Sequence, residues 1–258
     1  MKIALLFLFL LLNISSVLSG TIDPENSDSD YISYAKHFTY VGQITGINKD
    51  ESGFVASAVA IDDHHILTAA HIIVNSKKTF VGFGQKRFYI EKFIIPKEFK
   101  NDRSGIGDIA IGYSAAAFNI SFYPPLYNQK DEEGKVCCIC GFGGTGNFLS
   151  GVIKFDMKKR AGSNIVDEIS KDLLICNPSH ILSSDRTSLE FLIANGDSGG
   201  GLFIDGKLAG INSCIISQDS KSISDYSDVS GHTRISNFFD WILENKRGVL
   251  TNSVRGIK

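Results

Sequence analysis

The chain has 258 residues, of which 26 are basic and 28 acidic, giving a net charge of −2 with neutral histidines. This balance excludes a strongly basic surface for nucleic acid. The sequence has no glycine-rich phosphate loop ending in Lys-Ser or Lys-Thr, and no paired Cys or His spacing typical of zinc sites. We therefore expect neither a cofactor nor a metal.

Residues 1–20 have the pattern of a secretory signal peptide. Lys2 precedes the apolar run Ile3–Leu12, and small and polar residues follow up to Ser19 and Gly20. We expect cleavage next to Ser19 or Gly20. The apolar run is too short for a membrane span. The sequence thus predicts an extracellular protein (periplasmic if bacterial) that has no membrane contact after the cleavage.

The remaining chain reads mainly as short strands separated by polar turns, which predicts an all-β fold. The segment Thr21–Asp30 contains three Asp, one Glu and two Ser, which predicts a disordered leader. Two prolines in Tyr123–Leu126 interrupt any strand and mark a linker. The predicted units are a leader at 21–37, one β-unit at 38–123, a second at 124–234, a helix at 235–246 and a flexible polar tail at 247–258.

Two residues in the first β-unit are candidates for a catalytic base and its partner. An apolar run, Ile66–Ala70, ends on His71, which predicts a buried strand that turns to present the imidazole. Asp108 stands between isoleucines and small residues, where an unpaired charge is costly. An imidazole N–H would be a suitable partner, and the acid would fix the histidine tautomer. The other nearby acids, such as Asp102, have no such apolar setting.

A candidate nucleophile lies among glycines in the segment Asn195–Gly201. A serine hydroxyl needs a neighbouring base that takes its proton, and Ser198 has the setting of such a nucleophile. Gly196 permits unusual backbone dihedrals, so its N–H and that of Ser198 could together form an oxyanion hole. A tight turn between two strands is the alternative interpretation of the same residues.

Three motifs occur in the order His, Asp, Ser: Thr68-Ala69-Ala70-His71, Asp108-Ile109-Ala110 and Gly196-Asp197-Ser198-Gly199-Gly200. With this order and spacing, the chain from about Phe38 to Asn245 resembles the chymotrypsin-like (trypsin-like) serine peptidases. The resemblance implies two packed antiparallel six-stranded β-barrels with an active-site cleft between them and a C-terminal helix. It also implies hydrolysis of peptide bonds through an acyl-enzyme, with protein or peptide substrates and possible protein inhibitors as partners.

The resemblance also implies roles for supporting residues. Ser213 falls where the family has a serine that hydrogen-bonds the catalytic aspartate. Asp197 falls where the family pairs an acid with the amine that zymogen cleavage creates. The pocket for the side chain before the cut would be lined by Leu192, Ile193, Cys214 and Ile215. Leucine cannot neutralise a buried cation, so we expect a preference for small or medium apolar side chains. A place in the core of a strand is the alternative interpretation of Leu192 and Ile193.

The sequence departs from the family at two places. No apolar residue followed by paired glycines precedes Phe38, and Tyr31–Tyr34 is only a loose substitute for such a start. Asp197 is therefore expected to bind another cation or an internal amide. The family's usual disulfides near the active site are absent, because Ile72 and Ala194 stand where many relatives have cysteine. The number of cysteines, five, is odd and leaves at least one free or intermolecularly paired thiol. A bond from the Cys137–Cys140 cluster to Cys176 is possible, although packing as small hydrophobes is favoured.

Two alternatives to a peptidase stay open at this point. A catalytically silent secreted homologue would use the cleft or its loops to bind protein, and the two departures motivate that hypothesis. An esterase of the α/β-hydrolase type would need its serine before the acid and the histidine. Here Ser198 comes last and only His232 follows it, so the order argues against that esterase.

Overall fold

The computed structural model describes residues 20–102, 104–180, 182–221 and 223–254. The predicted signal peptide lies outside them, except for Gly20. The elements of the first half are β1 (Thr21–Ile22), α1 (Asp28–Tyr34), a 3-10 turn (Ala35–His37), β2 (Val41–Asn48), β3 (Gly53–Ala60), β4 (His65–Thr68), α2 (Ala70–Ile73), β5 (Ser76–Phe83), β6 (Lys86–Tyr89), β7 (Lys92–Ile94) and β8 (Ala110–Tyr113).

The second half follows the proline-containing segment. Its elements are β9 (Val136–Gly141), β10 (Thr145–Asn147), β11 (Gly151–Lys154), β12 (Arg160–Ile165), β13 (Glu168–Ser170), β14 (Leu173–Cys176), β15 (Phe191–Leu192), β16 (Gly201–Ile204), β17 (Lys207–Ser217), β18 (Asp228–Arg234) and α3 (Ile235–Val254). Strands dominate, and the predicted all-β class with a C-terminal helix is confirmed.

Each half is built on one antiparallel sheet that closes on itself. The first sheet has the order β6-β5-β2-β3-β4-β8-β7, and only Ile90 and Glu91 separate its two end strands in the chain. The second has the order β12-β9-β16-β17-β18-β14-β13, with Val166 and Asp167 between its ends. When each interrupted pair is taken as one bent strand, both sheets are six-stranded closed barrels, as predicted. Closure removes the open sheet edges.

A shared apolar core joins the two barrels. The ring of Phe203, on β16, lies 5.3 Å from the rings of both Phe38 and Tyr40, which belong to the first half. Val59 and Leu67 of the first barrel and Ile211 of the second are fully buried in the same cluster. Burying a side chain of this size contributes roughly 1.5–3 kcal/mol. This interface holds the barrels beside one another.

The prediction of a disordered leader is wrong for the described part of the segment. Tyr31, in α1, is fully buried, and its hydroxyl donates to the carbonyl of Glu190 over 2.9 Å. Two of the acids that suggested disorder have cationic partners far along the chain. Asp28 accepts two hydrogen bonds from the Arg160 guanidinium, at 2.6 and 2.9 Å, and Asp23 pairs with Arg186. A count of the charges within the segment could not predict these ion pairs with distant residues.

The C-terminal helix is longer than predicted. It begins at Ile235 as expected, but it continues through the segment predicted to be a flexible tail and ends at Val254. The last part of that tail, 255–258, lies outside the described residues. The helix buries Ile235, Phe238 and Ile242 against the shared core. No helix of the described residues is both long and apolar enough to cross a membrane.

All five cysteines are free thiols, and those of the Cys137–Cys140 cluster pack in the apolar cores, which is the favoured prediction for that cluster. Cys137 and Cys176 are both buried in the core of the second barrel, and their sulfur atoms lie 3.9 Å apart. Burial raises the pKa of the Cys176 thiol, and the neighbouring Cys137 raises it further. Cys140 is buried in the shared core, where desolvation likewise raises the pKa of its thiol. Unreactive neutral thiols suit such positions.

Candidate active site

His71 and Asp108 are held together by two hydrogen bonds, and Ser213 adds a third to the carboxylate. The imidazole Nδ1 lies 2.7 Å from Asp108 Oδ2, and the backbone N–H of His71 donates to Oδ1 over 2.9 Å. Ser213 donates its hydroxyl to the same Oδ2 over 2.6 Å. A carboxylate at Nδ1 keeps the proton on that nitrogen and leaves Nε2 free to accept a proton. The pair therefore has the arrangement of a general base and its orienting acid.

Local backbone geometry places these two side chains. His71 lies in the short helix α2, directly after the buried strand β4, and its side chain is 35% exposed. Asp108 lies two residues before β8 and follows two glycines in left-handed conformations, Gly105 (φ +70°) and Gly107 (φ +63°). A Cβ on Gly107 would lie 2.7 Å from the backbone nitrogen of Phe99. Only glycine fits there without displacing the loop that carries Asp108.

Asp108 is ionised although it is buried. Burial opposes the charged form, but hydrogen bonds from His71 and Ser213 outweigh that cost, so the pKa of Asp108 lies below its usual value. Its backbone carbonyl also accepts a hydrogen bond of 2.9 Å from the Thr233 hydroxyl. Ser213 and Thr233 both belong to the second barrel, so the acid of the first barrel is fixed from the other side of the interface.

Ser198 lies in a tight loop between β15 and β16 that is bound to the first barrel. Gly196 and Gly199 flank it with φ values of +94° and +85°. A Cβ on Gly199 would lie 2.1 Å from the carbonyl oxygen of Ser57, so the close approach of the two barrels requires glycine. The carbonyl of Ser198 accepts a hydrogen bond of 2.9 Å from the backbone N–H of Ser57.

The hydroxyl of Ser57 fixes the loop that contains Gly196. It donates to the carbonyl oxygen of Gly196 over 2.9 Å, and it accepts a hydrogen bond of 2.9 Å from the backbone N–H of Phe142. Within the described ranges, the backbone N–H groups of Gly196 and Ser198 have no hydrogen-bond acceptor. Two unpaired donors beside a serine hydroxyl suit the binding of an oxyanion. Sequence reasoning missed Ser57, which stands in an alanine-rich strand without any motif.

One cavity of about 520 Å³ brings the candidate residues of both barrels together. His71 and Ser198 both line it, as does Ser213. Among the described contacts, the Ser198 hydroxyl makes no hydrogen bond to His71. The two residues are brought together because both line the same cavity. Other lining residues are Phe99, Lys100, Asn101, Ile193, Ala194, Asn195, Cys214 and Ile215.

The predicted pocket residue Leu192 does not line this cavity. It is fully buried, and its backbone pairs with Thr21 in the sheet that β1 and β15 form. The other three predicted pocket residues, Ile193, Cys214 and Ile215, do line it. The prediction that Leu192 lines the substrate pocket is therefore wrong. Strand β15, which contains Leu192, pairs with the N-terminal strand β1, and the Leu192 side chain is buried in the core.

Asp197 is buried beneath the Ser198 loop and accepts hydrogen bonds only from backbone N–H groups among the described residues. Its donors are Gly20 at 2.8 Å, Ala194 at 3.2 Å and Gly143 at 3.0 Å. Burial outweighs these bonds and raises the pKa of Asp197 to about 6. We expected either a cation or an internal amide as the partner of Asp197, and the structure has backbone amides. The loose substitute Tyr31–Tyr34 cannot reach this acid as a chain start, because it overlaps α1.

The sequence model of the Trypsin family matches residues 33–242. The chain belongs to the trypsin family. It is 26% identical over 212 residues to snake venom serine protease 3 of Protobothrops jerdonii, covering 75% of this chain and 78% of that protein. Its fold is similar to that of HL collagenase, with a TM-score of 0.64, 18% identity and coverage of 81% of this chain and 94% of the collagenase.

The fold is also similar to that of a scabies mite inactivated protease paralogue, S-I1, with a TM-score of 0.62 and 13% identity, covering 83% and 96% of the two chains. These solved structures support the double-barrel architecture of this trypsin-family member. Because one of them bears the name of an inactivated protease, the architecture by itself does not decide activity.

Proposed function

We propose that this trypsin-family chain is a secreted serine endopeptidase. The observation that carries the proposal is the hydrogen-bonded pair of His71 and Asp108, 2.7 Å apart, which opens into the same cavity as Ser198. Membership of the family and the signal-peptide pattern of residues 1–20 support the two parts of the proposal, peptidase activity and secretion.

The proposed reaction proceeds through an acyl-enzyme. Ser198 Oγ attacks the scissile carbonyl while His71 Nε2 takes the hydroxyl proton, and Asp108 stabilises the imidazolium that results. The N–H groups of Gly196 and Ser198 stabilise the oxyanion. His71 then gives its proton to the leaving amine. Water attacks the ester in a second step with the same proton transfers reversed, which frees the carboxylic acid and Ser198.

The proposed substrates are proteins or peptides with a small or medium apolar side chain before the cut. Ile193, Cys214 and Ile215 form an apolar part of the cavity. The one acid among its lining residues is Asp108, which is already occupied by His71. A cationic side chain would therefore be buried without a partner. Protein inhibitors would occupy the same cleft.

A fluorophosphonate reagent tests the proposal directly, because it reacts with activated serines. We expect labelling of Ser198 in the folded protein and turnover of casein. Both should be lost in Ser198→Ala, while Ser150→Ala, at an exposed serine, should retain both. Folded protein that takes no label on Ser198 would contradict the proposal.

A catalytically silent, protein-binding homologue is the second candidate. The observation that favours it is the missing hydrogen bond between the Ser198 hydroxyl and His71 in the described structure. Serine–histidine bonds are often long in unliganded peptidases and tighten in the complex. Casein turnover that depends on Ser198 would exclude this candidate, whereas tight binding of a protein ligand without turnover would support it.

A further inference from the structure

Asp197 accepts an unusual hydrogen bond from the beginning of the described chain. The backbone nitrogen of Gly20 lies 2.8 Å from Asp197 Oδ2, in the interior of the protein. Gly20 is itself buried, and the next two residues, Thr21 and Ile22, are held between β10 and β15. The position of the Gly20 nitrogen is therefore fixed by strand pairing.

No residue except glycine fits at position 20. A Cβ there would lie 2.3 Å from Phe191 Cζ and 2.8 Å from Asp197 Oδ2. The chain thus reaches the buried carboxylate with its least bulky residue. Independently, the sequence of residues 1–20 predicts signal-peptide cleavage next to Ser19 or Gly20. The Ser19–Gly20 bond lies within the region of predicted cleavage, and its nitrogen is the atom that contacts Asp197.

We propose that removal of the signal peptide between Ser19 and Gly20 itself activates the protein, by leaving the α-ammonium group of Gly20 as the ion-pair partner of Asp197. A signal peptidase hydrolyses the Ser19–Gly20 amide bond with one water molecule. Ser19 leaves as a carboxylate, and Gly20 keeps the nitrogen, which takes up a proton. The inference rests on the proposed peptidase function, and no second activating cut is required.

The charge balance at Asp197 is the physical reason. In the uncut chain, residue 20 offers one amide hydrogen, and every donor to this carboxylate is uncharged. A buried carboxylate without a cation is costly, which is why burial raises its pKa. An ammonium group at the same nitrogen supplies a positive charge and three donors. An α-amino group has a pKa of about 7.7–8.0, so it is charged at neutral pH.

The effect on catalysis follows from the place of Asp197 in the chain. It stands between Gly196 and Ser198, whose N–H groups form the proposed oxyanion hole, and its carboxylate anchors the loop from below. When the anchor lacks a cation, the buried charge favours conformations in which the carboxylate reaches water. When the ammonium group of Gly20 pairs with it, the loop geometry described above is the stable one.

The test uses the full chain secreted from eukaryotic cells, with and without an inserted Asp-Asp-Asp-Asp-Lys segment between Ser19 and Gly20. N-terminal sequencing of the natural form should start at Gly20, and the secreted form should hydrolyse peptides without any protease treatment. The extended form should have a kcat/KM about 100-fold lower. Enteropeptidase, which cuts after the inserted lysine, should restore activity by freeing Gly20. The same insertion with glutamine in place of the lysine is the matched control, and it should stay inactive.

Thermal unfolding gives a second readout that does not depend on activity. The midpoint of the extended form should rise when enteropeptidase frees Gly20, and this rise should vanish in Asp197→Asn. If no form hydrolyses peptide or takes a phosphonate label but the midpoint still rises, the peptidase proposal fails and the ion pair stands. An active secreted form that starts elsewhere than Gly20, or an extended form as active and as stable as the cut one, would overturn the inference.

Discussion

Two buried aspartates lie on either side of the candidate active site, and the protein stabilises them in different ways. Asp108 is 3% exposed and Asp197 is 1% exposed, so both carboxylates lose nearly all hydration. Asp108 has an imidazole and a hydroxyl as partners, and its pKa is lowered. Asp197 has only backbone amides, and its pKa is raised to about 6. The partners, rather than burial alone, decide whether the pKa of a buried acid is lowered or raised.

The largest effect is expected at Asp108. In Asp108→Asn, an amide group that faces His71 Nδ1 can donate to it, which places the imidazole proton on Nε2 and prevents that atom from acting as a base. We expect kcat to fall about 10⁴-fold. Peptide hydrolysis measures this change, with Asp102→Asn, at an exposed acid, as the unaffected control. A loss below tenfold would show that Asp108 does not orient the base.

The two aspartates should also differ in the pH dependence of stability. For Asp197 in the uncut chain, the folded pKa of about 6 exceeds the ordinary 3.8. The folded state therefore holds a proton that the unfolded state has released, and about 3 kcal/mol of stability is lost in total as pH rises from below 3.8 to above 6, of which about 2 kcal/mol is lost between pH 4 and pH 6. For Asp108 the sign is opposite, and stability is lost as pH falls through the region below 3.8.

The Asp197 effect is measured as the difference between the extended chain and its Asp197→Asn variant in denaturant unfolding from pH 4 to pH 7. Subtraction is needed because burial lowers the pKa of His232 from 6.5 to about 3, which makes stability rise with pH in the same window. In the cut chain, the Gly20 ammonium group should abolish the loss of stability that Asp197 causes as pH rises. A difference that does not change with pH would contradict the contrast between the two acids.

A smaller effect is expected at Ser57, which connects the Ser198 loop to the first barrel. In Ser57→Ala, the Gly196 carbonyl and the Phe142 N–H lose their partner. We expect a loss of 1–2 kcal/mol in the free energy of unfolding, as is typical of such bonds, and a fall in kcat of about 10-fold. Ser52→Ala, at an exposed serine, is the control. Unchanged kcat would mean that the hydroxyl does not position the loop.

The smallest effect concerns specificity. Ile215 narrows the proposed substrate pocket, so Ile215→Gly should improve cleavage after Phe or Tyr relative to Ala by about 10-fold, as expected for a few methylene groups. Profiling with a peptide library measures the ratio. Ile216→Gly, one position further in the same strand and outside the cavity lining, should leave it unchanged. Equal effects of both substitutions would remove Ile215 from the pocket.

The sequence predicted features that depend on local patterns. The apolar setting of Asp108 pointed to a buried partner, and the structure has His71 there. The alternation of strands and turns pointed to an all-β fold, and the family resemblance pointed to two barrels. Prediction from the sequence failed where distant segments of the chain form a residue's environment. The acidic leader is ordered because Arg160 and Arg186 reach it, and Leu192 is core because β1 pairs with it. No local signal reveals such long-range contacts.

The attachment of the Ser198 loop to Ser57 has a consequence during synthesis. The chain emerges with the first barrel ahead of the second, and the Ser198 loop accepts two hydrogen bonds from Ser57 of the first barrel. A nascent or half-folded chain therefore contains His71 and Asp108, the proposed base and its orienting acid, but lacks a correctly positioned Ser198. Under the proposed function, hydrolytic activity would require the two barrels to dock, which would protect the secretory compartment from a partly folded enzyme.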